Sequence, residues 1–374
     1  MKKIYQLIAS VHLGGSEIIA FDLAEHCRRR ASVDIGITVV ELYSTRNDYA
    51  HAKKEDLTSK GIRVITLSRG SKRVSLLFAP FALFYWLLKE KPLIIHSHTD
   101  LPDYVLGVVI RLYRFFRIKM PRIVRTIHST QLWRNHYRMG RFTESAFRDE
   151  SIIAVSSNAM VAYEQLRKRY DLAVSRNRQI IYNGRPVPQQ CTHPFAIDKN
   201  KINIAFCGRF EDYKGMETLI PAVREMERRL PGRFTFHVIG DGTYKKQLEQ
   251  LAREQPHLYL YAPLPNISTL FHAFDYLFMP SHFEGLVLTS IESSFAGVPV
   301  IASHAPGLDD TLPENWPLKF HLGNDEELYT VFEEINNNKF DRESLKKNAL
   351  SFVTERFSQE KMIRSYSLVY NSLL

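Results

Sequence analysis

Two glutamates, Glu284 and Glu292, stand seven intervening residues apart in the stretch PSHFEGLVLTSIESSFAGVPVIAS, Pro280–Ser303. The first lies beside Gly285 in a loop and the second inside a helix-like run. The segments YLFMPS and PVIAS, which read as buried strands, bracket both. Surface glutamates usually lie on a solvated face, whereas this pair is placed for chemistry. The helix is expected from about Val287, with Gly297 closing it and Pro299 preventing its continuation. Free N–H groups near Leu288 and Thr289 would favour a phosphate, and the helix dipole would add roughly 0.3–1 kcal/mol. Glu292, one turn deeper, could accept hydrogen bonds from a vicinal diol such as ribose. Glu284 would reach the group on the far side of the phosphates.

Further anion-binding chemistry comes earlier. In CGRFEDYKG, Arg209 follows a strand and Lys214 comes five residues later, with Gly208 and Gly215 flanking them. Two cations among glycine backbone suit a diphosphate; the alternative is a solvated loop with its own ion pair to Glu211 or Asp212. A Gly-Asp-Gly turn, Gly240–Gly242, starts another helix. YAPLP, Tyr261–Pro265, ends a strand where a base would stack, and backbone near Leu264 could read uracil or guanine. Near the N-terminus, Gly14 and Gly15 open a helix and allow close backbone approach to a ligand, although the GxGxxG dinucleotide fingerprint is absent. Three histidines follow strands. His128 is read as a functional group able to donate to a substrate hydroxyl or to steady developing charge, and His96 and His98 as core residues. Zinc at His96 and His98 would lack further ligands.

The elements that position these residues alternate along the whole chain. Continuous β-branched runs (KIYQLIAS, DIGITVVEL, IRVITL, LIIHSH, RIVRTIH, SIIAVS, QIIYNG) are separated by longer polar-faced segments, and the pattern restarts at INIAFCGR. FTFHVIG, LYLYAP, YLFMPS and PVIAS complete it. Such runs indicate parallel sheets covered on both faces. The expected fold class is α/β, two tandem Rossmann-like doubly wound domains facing across a cleft, with ligands beyond the strands' carboxyl ends. A chain of 374 residues exceeds one comfortable core. The domains are placed at residues 1–186 and 199–352, joined through the linker Gly184–Lys201. A C-terminal helix at about 353–374 is expected to pack back on the first domain.

Charge is uneven. Residues 1–186 carry 31 Lys/Arg against 16 Asp/Glu, while the remainder is net acidic. RLYRFFRIKMPRIVR, Arg111–Arg125, interleaves arginines with aromatics, and the apolar run Leu76–Leu88 follows a basic pair. That run is too short to span a bilayer and reads as a core or interfacial helix. Together the two segments suit an anionic membrane surface. Three separated cysteines and the absence of a signal pattern fit a cytoplasmic protein, peripheral on the inner face of the membrane. A basic nucleic-acid-binding protein would not need two parallel-sheet domains with anion sites at matching strand ends.

With GGSE, TIHST, GRFEDYKG, GDG and the E-x7-E pair in this order, the chain resembles glycosyltransferase family 4, whose two-Rossmann architecture is called GT-B. The resemblance covers nearly the whole length. It implies transfer of a sugar from a nucleotide donor with retention of configuration, without a bound metal or other cofactor. Carried over, Arg209 and Lys214 match the diphosphate pair, Glu292 the ribose binder and Glu284 the carboxylate beside the donor sugar. Gly15 matches a loop glycine near the donor phosphate, and His128 the histidine near the donor sugar. Val287, Ser129 and GLDD at Gly307–Asp310 depart from the family pattern, which bears on donor identity and loop shape rather than on class. The expected donor is a UDP-sugar carrying a hexose or N-acetylhexosamine, and the expected acceptor a glycan or lipid-linked molecule in surface polysaccharide assembly. A sugar-nucleotide epimerase or phosphorylase of the same shape is the alternative.

Overall fold

The computed structural model describes residues 2–30 and 35–374; the side chains of residues 27–30 lie outside those described. The chain divides into two compact units, Met1–Gly184 with Gln359–Leu374, and Arg185–Ser358. The division falls at the start of the segment read as linker, so that segment belongs to the second unit.

The first unit is a seven-stranded parallel sheet. Its strands are β1 (Lys2–Ile8), β2 (Ile35–Tyr43), β3 (Arg63–Ser68), β4 (Ile94–His98), β5 (Arg122–Ile127), β6 (Ser151–Ala154) and β7 (Arg178–Ile180). They lie in the order β3-β2-β1-β4-β5-β6-β7. Helices α1 (Gly15–Arg30), α2 (Asp48–Ser59), α3 (Lys72–Glu90), α4 (Asp100–Phe115), α5 (Tyr137–Glu144) and α6 (Ser157–Arg169) connect them. A βαβ crossover needs such a helix to return the chain to the start of the next parallel strand.

The second unit repeats the plan with β8 (Ile202–Arg209), β9 (Phe234–Asp241), β10 (Leu258–Tyr261), β11 (Tyr276–Met279), β12 (Val300–Ser303) and β13 (Lys319–Phe320), ordered β10-β9-β8-β11-β12-β13. Its helices are α7 (Met216–Arg229), α8 (Lys245–Glu254), α9 (Leu288–Phe295), α10 (Asp325–Asn336) and α11 (Arg342–Arg356). The two-residue β13 is too short to give a sequence signal. The last helix, α12 (Gln359–Leu373), returns to the first unit and starts six residues later than expected, because α11 runs on to Arg356. Among the described residues no helix is long and apolar enough to cross a membrane.

One buried charge cluster organises the β5 side of the first unit. Arg125, 1% exposed, donates to Asp103 at 2.8 Å and to Glu144 at 2.6 Å, and lies 3.4 Å from Glu150. Arg167 reaches Glu144 at 3.3 Å. Burial pushes the Asp103 and Glu150 carboxyls up against the pull of Arg125. Burial also pushes Glu144 up, but the two arginines outweigh it and its carboxyl falls below the usual range. Removing the guanidinium would strand Asp103 and Glu150 in the core and leave Glu144 with Arg167 alone, a loss of about 3–5 kcal/mol for a broken buried pair. Arg125→Met is therefore expected to lower unfolding free energy by that order in urea titrations; a loss below 1 kcal/mol would show that the cluster does not act as a unit.

Candidate active site

In the second unit the strand order reverses at β8, whose neighbours are β9 and β11. Such a switch point in a parallel sheet opens a crevice at the strands' carboxyl ends. β8 ends at Arg209, and β11 leads through Pro280 into the loop of Glu284. These two loops are knitted together. The His282 amide donates to the Tyr213 carbonyl at 2.9 Å, the Tyr213 and Phe283 rings stack 5.4 Å apart, and Lys214 Nζ pairs with Glu284 Oε1. Gly215 (φ +75°) ends the turn so close to β11 that a Cβ there would stand 1.9 Å from the Pro280 oxygen. Only glycine can hold that approach, and the approach is what brings Lys214 to Glu284. The guanidinium of exposed Arg209 lies 5.4 Å from the Tyr213 ring centroid and Lys214 Nζ lies 5.7 Å from it, so one ring carries both cations.

The alternative partners named for Lys214 are engaged elsewhere. Glu211 accepts from Thr243 Oγ1 at 3.0 Å, and Asp212 accepts from Tyr244. Beneath the turn, a Cβ on Gly240 would meet the Gly208 oxygen at 1.9 Å. At Gly208 itself a Cβ would make only ordinary contacts, 3.6 Å to Phe206 and 3.9 Å to Lys214, so packing alone does not call for glycine there. Leu264 follows the edge strand β10 and packs on the core, set apart from β8 by β9.

Helix α9 begins at Leu288, one residue past the expected start, and Val287 supplies no side-chain cap. The first helical bond runs from Ile291 N–H to the Val287 oxygen, so the N–H groups of Leu288, Thr289 and Ser290 precede it. Buried serines hold the helix down: Ser290 accepts from Thr311 Oγ1 at 2.8 Å and Ser293 donates to the Val298 oxygen at 2.8 Å. Glu292, 8% exposed, accepts from Arg185 Nε at 2.5 Å. Glu292, expected to meet a diol, has Arg185 as its partner, a residue of the expected linker segment with no spacing to mark it. Tyr213 and Phe283 were missed as well. Cys207, on β8, senses both ends of the arrangement. Burial pushes its thiol up to about 12, Glu292 pushes the same way and Lys214 pulls it back.

His128 and Gly15 belong to the first unit. Gly15 is the first residue of α1; two residues on, Glu17 is held by Ser16 Oγ at 2.7 Å and His12 Nε2 at 3.5 Å. His128 follows β5, and its Nε2 lies 3.0 Å from Nδ1 of His98. His98 and His96 are fully buried, as core residues would be. Burial pulls the His128 imidazole down to about 3, and His96 and His98 well below their usual value. Among the described residues no group of three or more His, Cys, Asp or Glu is disposed to hold a metal ion.

The family model for glycosyl transferases group 1 matches residues 192–352, and that for glycosyltransferase family 4 matches residues 13–187. Together they take in most of the chain, which belongs to glycosyltransferase family 4. A Klebsiella pneumoniae relative described as an uncharacterized 41.2 kDa protein in the cps region is 24% identical over 82% of this chain and 86% of its own. The Escherichia coli O-antigen biosynthesis glycosyltransferase WclY is 26% identical over 75% of this chain and 79% of its own. The crystal structure of Anabaena Alr3699/HepE with UDP and glucose shares the fold with a TM-score of 0.78 at 20% identity, covering the whole of both chains. The protein is thus a glycosyltransferase of the GT-B fold.

The Cys207 environment is directly testable. A thiol held protonated is a poor nucleophile. In a Cys27→Ser background at pH 8, a disulfide reagent is expected to titrate exposed Cys191 at once and Cys207 only after denaturation. Two fast thiols would mean that the β8 end is open to solvent.

Proposed function

We propose that the enzyme is a retaining glycosyltransferase that moves a hexose or N-acetylhexosamine from a UDP-sugar to a glycan or lipid-linked acceptor in surface polysaccharide assembly. The observation that carries this reading is the Lys214–Glu284 pair at the β8/β11 switch point. The O-antigen and cps-region relatives support the pathway, and the solved UDP complex of a like-folded protein supports the donor base.

In this mechanism the departing nucleoside diphosphate gains charge as an oxocarbenium-like transition state forms. Lys214 exchanges Glu284 for the diphosphate, and Arg209 and the first N–H groups of α9, at Leu288 and Thr289, add to the neutralisation. Those groups do the work a metal would otherwise do, so no metal or other cofactor is invoked. Glu284, released from Lys214, meets the hydroxyls of the donor sugar. Glu292, fixed by Arg185, presents its remaining acceptor capacity to the ribose diol. Gly208 and Gly240 bring backbone close to the phosphates, backbone near Leu264 reads the base, and Gly15 and His128 are contributions of the first unit. With Glu292 committed to the ribose, no second carboxylate is left for a double displacement. The acceptor attacks from the face the diphosphate leaves, and a phosphate oxygen takes its proton.

The acceptor side is read from α3. Val74, Leu77, Phe78, Phe81 and Tyr85 are each about half exposed along one face of this helix, and Phe115 and Phe116 extend the patch from the end of α4. Lys72, Arg73, Lys89, Arg114, Arg117 and Lys119 surround it in sequence. An apolar face among cations suits the headgroup boundary of an anionic bilayer.

Removing one transition-state contact typically costs about 2.7–4 kcal/mol, a hundredfold or more in rate. Lys214→Met is expected to reduce UDP release in the presence of acceptor and EDTA by at least that factor. It should also destabilise the fold, since Glu284 loses its ion pair with Lys214. The double variant Lys214→Met/Glu284→Gln should recover the melting temperature without recovering turnover. Wild-type turnover in either folded variant would remove the phosphate role of Lys214.

For the α3 face, sedimentation with phosphatidylglycerol vesicles at low salt is expected to capture the wild-type chain. Phe78→Ser/Phe81→Ser should weaken capture severalfold with turnover on a soluble acceptor unchanged. Equal capture by neutral and anionic vesicles, or none by either, would discard the membrane reading.

A further inference from the structure

The buried polar groups around β1 and β4 form one continuous chain. His128 Nε2 lies 3.0 Å from His98 Nδ1, and His98 Nε2 lies 2.7 Å from Gln6 Oε1. On its other side the Gln6 amide donates to Tyr370 Oη at 2.8 Å, and Tyr370 lies 2.6 Å from His96 Nδ1. His96 Nε2 is 2.6 Å from Thr126 Oγ1, which is 3.1 Å from Tyr366 Oη. Apart from His128 at the mouth, every member is 1% exposed or less. Tyr366 and Tyr370 both come from α12, one turn apart, so the far end of the chain closes a network begun in the first strand.

A neutral imidazole has one N–H and one lone pair, so each link dictates the next. All three histidines are neutral here, because burial opposes charge and the His96 and His98 rings lie only 4.1 Å apart. The Gln6 carbonyl can only accept, so His98 donates from Nε2 and accepts at Nδ1. His128 must then donate from Nε2. In the other direction the Gln6 amide donates to Tyr370, and with the Tyr370 proton given to His96 Nδ1, His96 Nε2 donates to Thr126. Every group is satisfied by one direction of travel. Reversing it would require the Gln6 amide to turn over and every proton along the chain to move.

We propose that Gln6 and Tyr370 are positioning residues which, through His98, hold His128 as the Nε2–H tautomer, so that Nδ1 is the atom it offers as acceptor to a ligand hydroxyl. The asymmetric amide of Gln6 sets the direction, and Tyr370 holds the amide in that orientation. Only the catalytic consequence rests on the proposed place of His128 beside the donor sugar; the tautomer itself does not.

The test is long-range ¹H–¹⁵N correlation on the uniformly labelled full chain, with the His128 ring identified by its loss in His128→Asn. The wild type is expected to show a single form of His128, pyrrole-type at Nε2 and pyridine-type at Nδ1, unchanged from pH 8 to pH 5. Tyr370→Phe deprives the Gln6 amide of its acceptor and should convert His128 to a mixture of tautomers; Gln6→Met should do the same. An Nδ1–H form or a mixture in the wild type would overturn the proposal, and so would a pure Nε2–H form in both variants. If His128 meets the donor sugar, the variants should also lose roughly tenfold in kcat/KM for the nucleotide sugar, about the worth of one hydrogen bond. A tautomer that shifts while turnover stays constant would uphold the chain and count against that place for His128.

Discussion

In the proposed mechanism the chemistry of the second unit depends on an ion pair formed across a switch point. Lys214 and Glu284 come from loops that leave adjacent parallel strands, and each is mostly shielded from water. Partly buried charges left alone would be costly, so the pairing holds each in place. In the proposed mechanism the pair is also an exchangeable contact. A diphosphate offers Lys214 more negative charge than one carboxylate does, and Arg209 stands by the same tyrosine ring to share it. The glycine at 215 makes the arrangement affordable in backbone terms, since no other residue could pass Pro280 at that distance.

Much of this was legible in the sequence, for a physical reason. Parallel strands buried on both faces must be apolar throughout, and twelve of the thirteen strands show in the sequence as short apolar or β-branched runs, although all three residues of β7 are exposed. Their carboxyl ends then mark where to look, and Arg209, Lys214, Glu284 and the start of α9 all lie there. Partners were another matter. The Arg185–Glu292 pair spans 107 residues and the Gln6–Tyr370 bond spans 364, and local periodicity carries no information about such distances. One clue was present in KKIYQLI: a glutamine in a strand with both faces covered must be satisfied by something. β13 was missed because two residues show no period at all.

The first unit stores its polar groups differently. Arg125 and Arg167 form a static cluster with Asp103, Glu144 and Glu150, in which charge balances charge. Around His96 and His98 charge is excluded, and the order comes from hydrogen-bond direction alone. A charged network tolerates small displacements because Coulomb attraction falls slowly with distance. A directional chain does not, because each hydrogen bond fails steeply as its angle opens. The cluster therefore suits stability and the chain suits positioning, and His128 stands at the half-buried end of the chain.

The two glutamates seven residues apart are now distinguishable by what holds them. Glu284 is paired with a flexible lysine in a loop, so its partner can leave without disturbing the sheet. Glu292 is paired with an arginine and rooted in a helix pinned by Ser290 and Ser293, so its position survives any exchange nearby. Arginine presents a planar, permanently charged fork, whereas lysine is a mobile point charge. The pairing of each carboxylate with a different cation follows the division of labour a transferase needs. In the proposed mechanism one group stays fixed while a nucleoside docks, and the other changes partners as the sugar arrives.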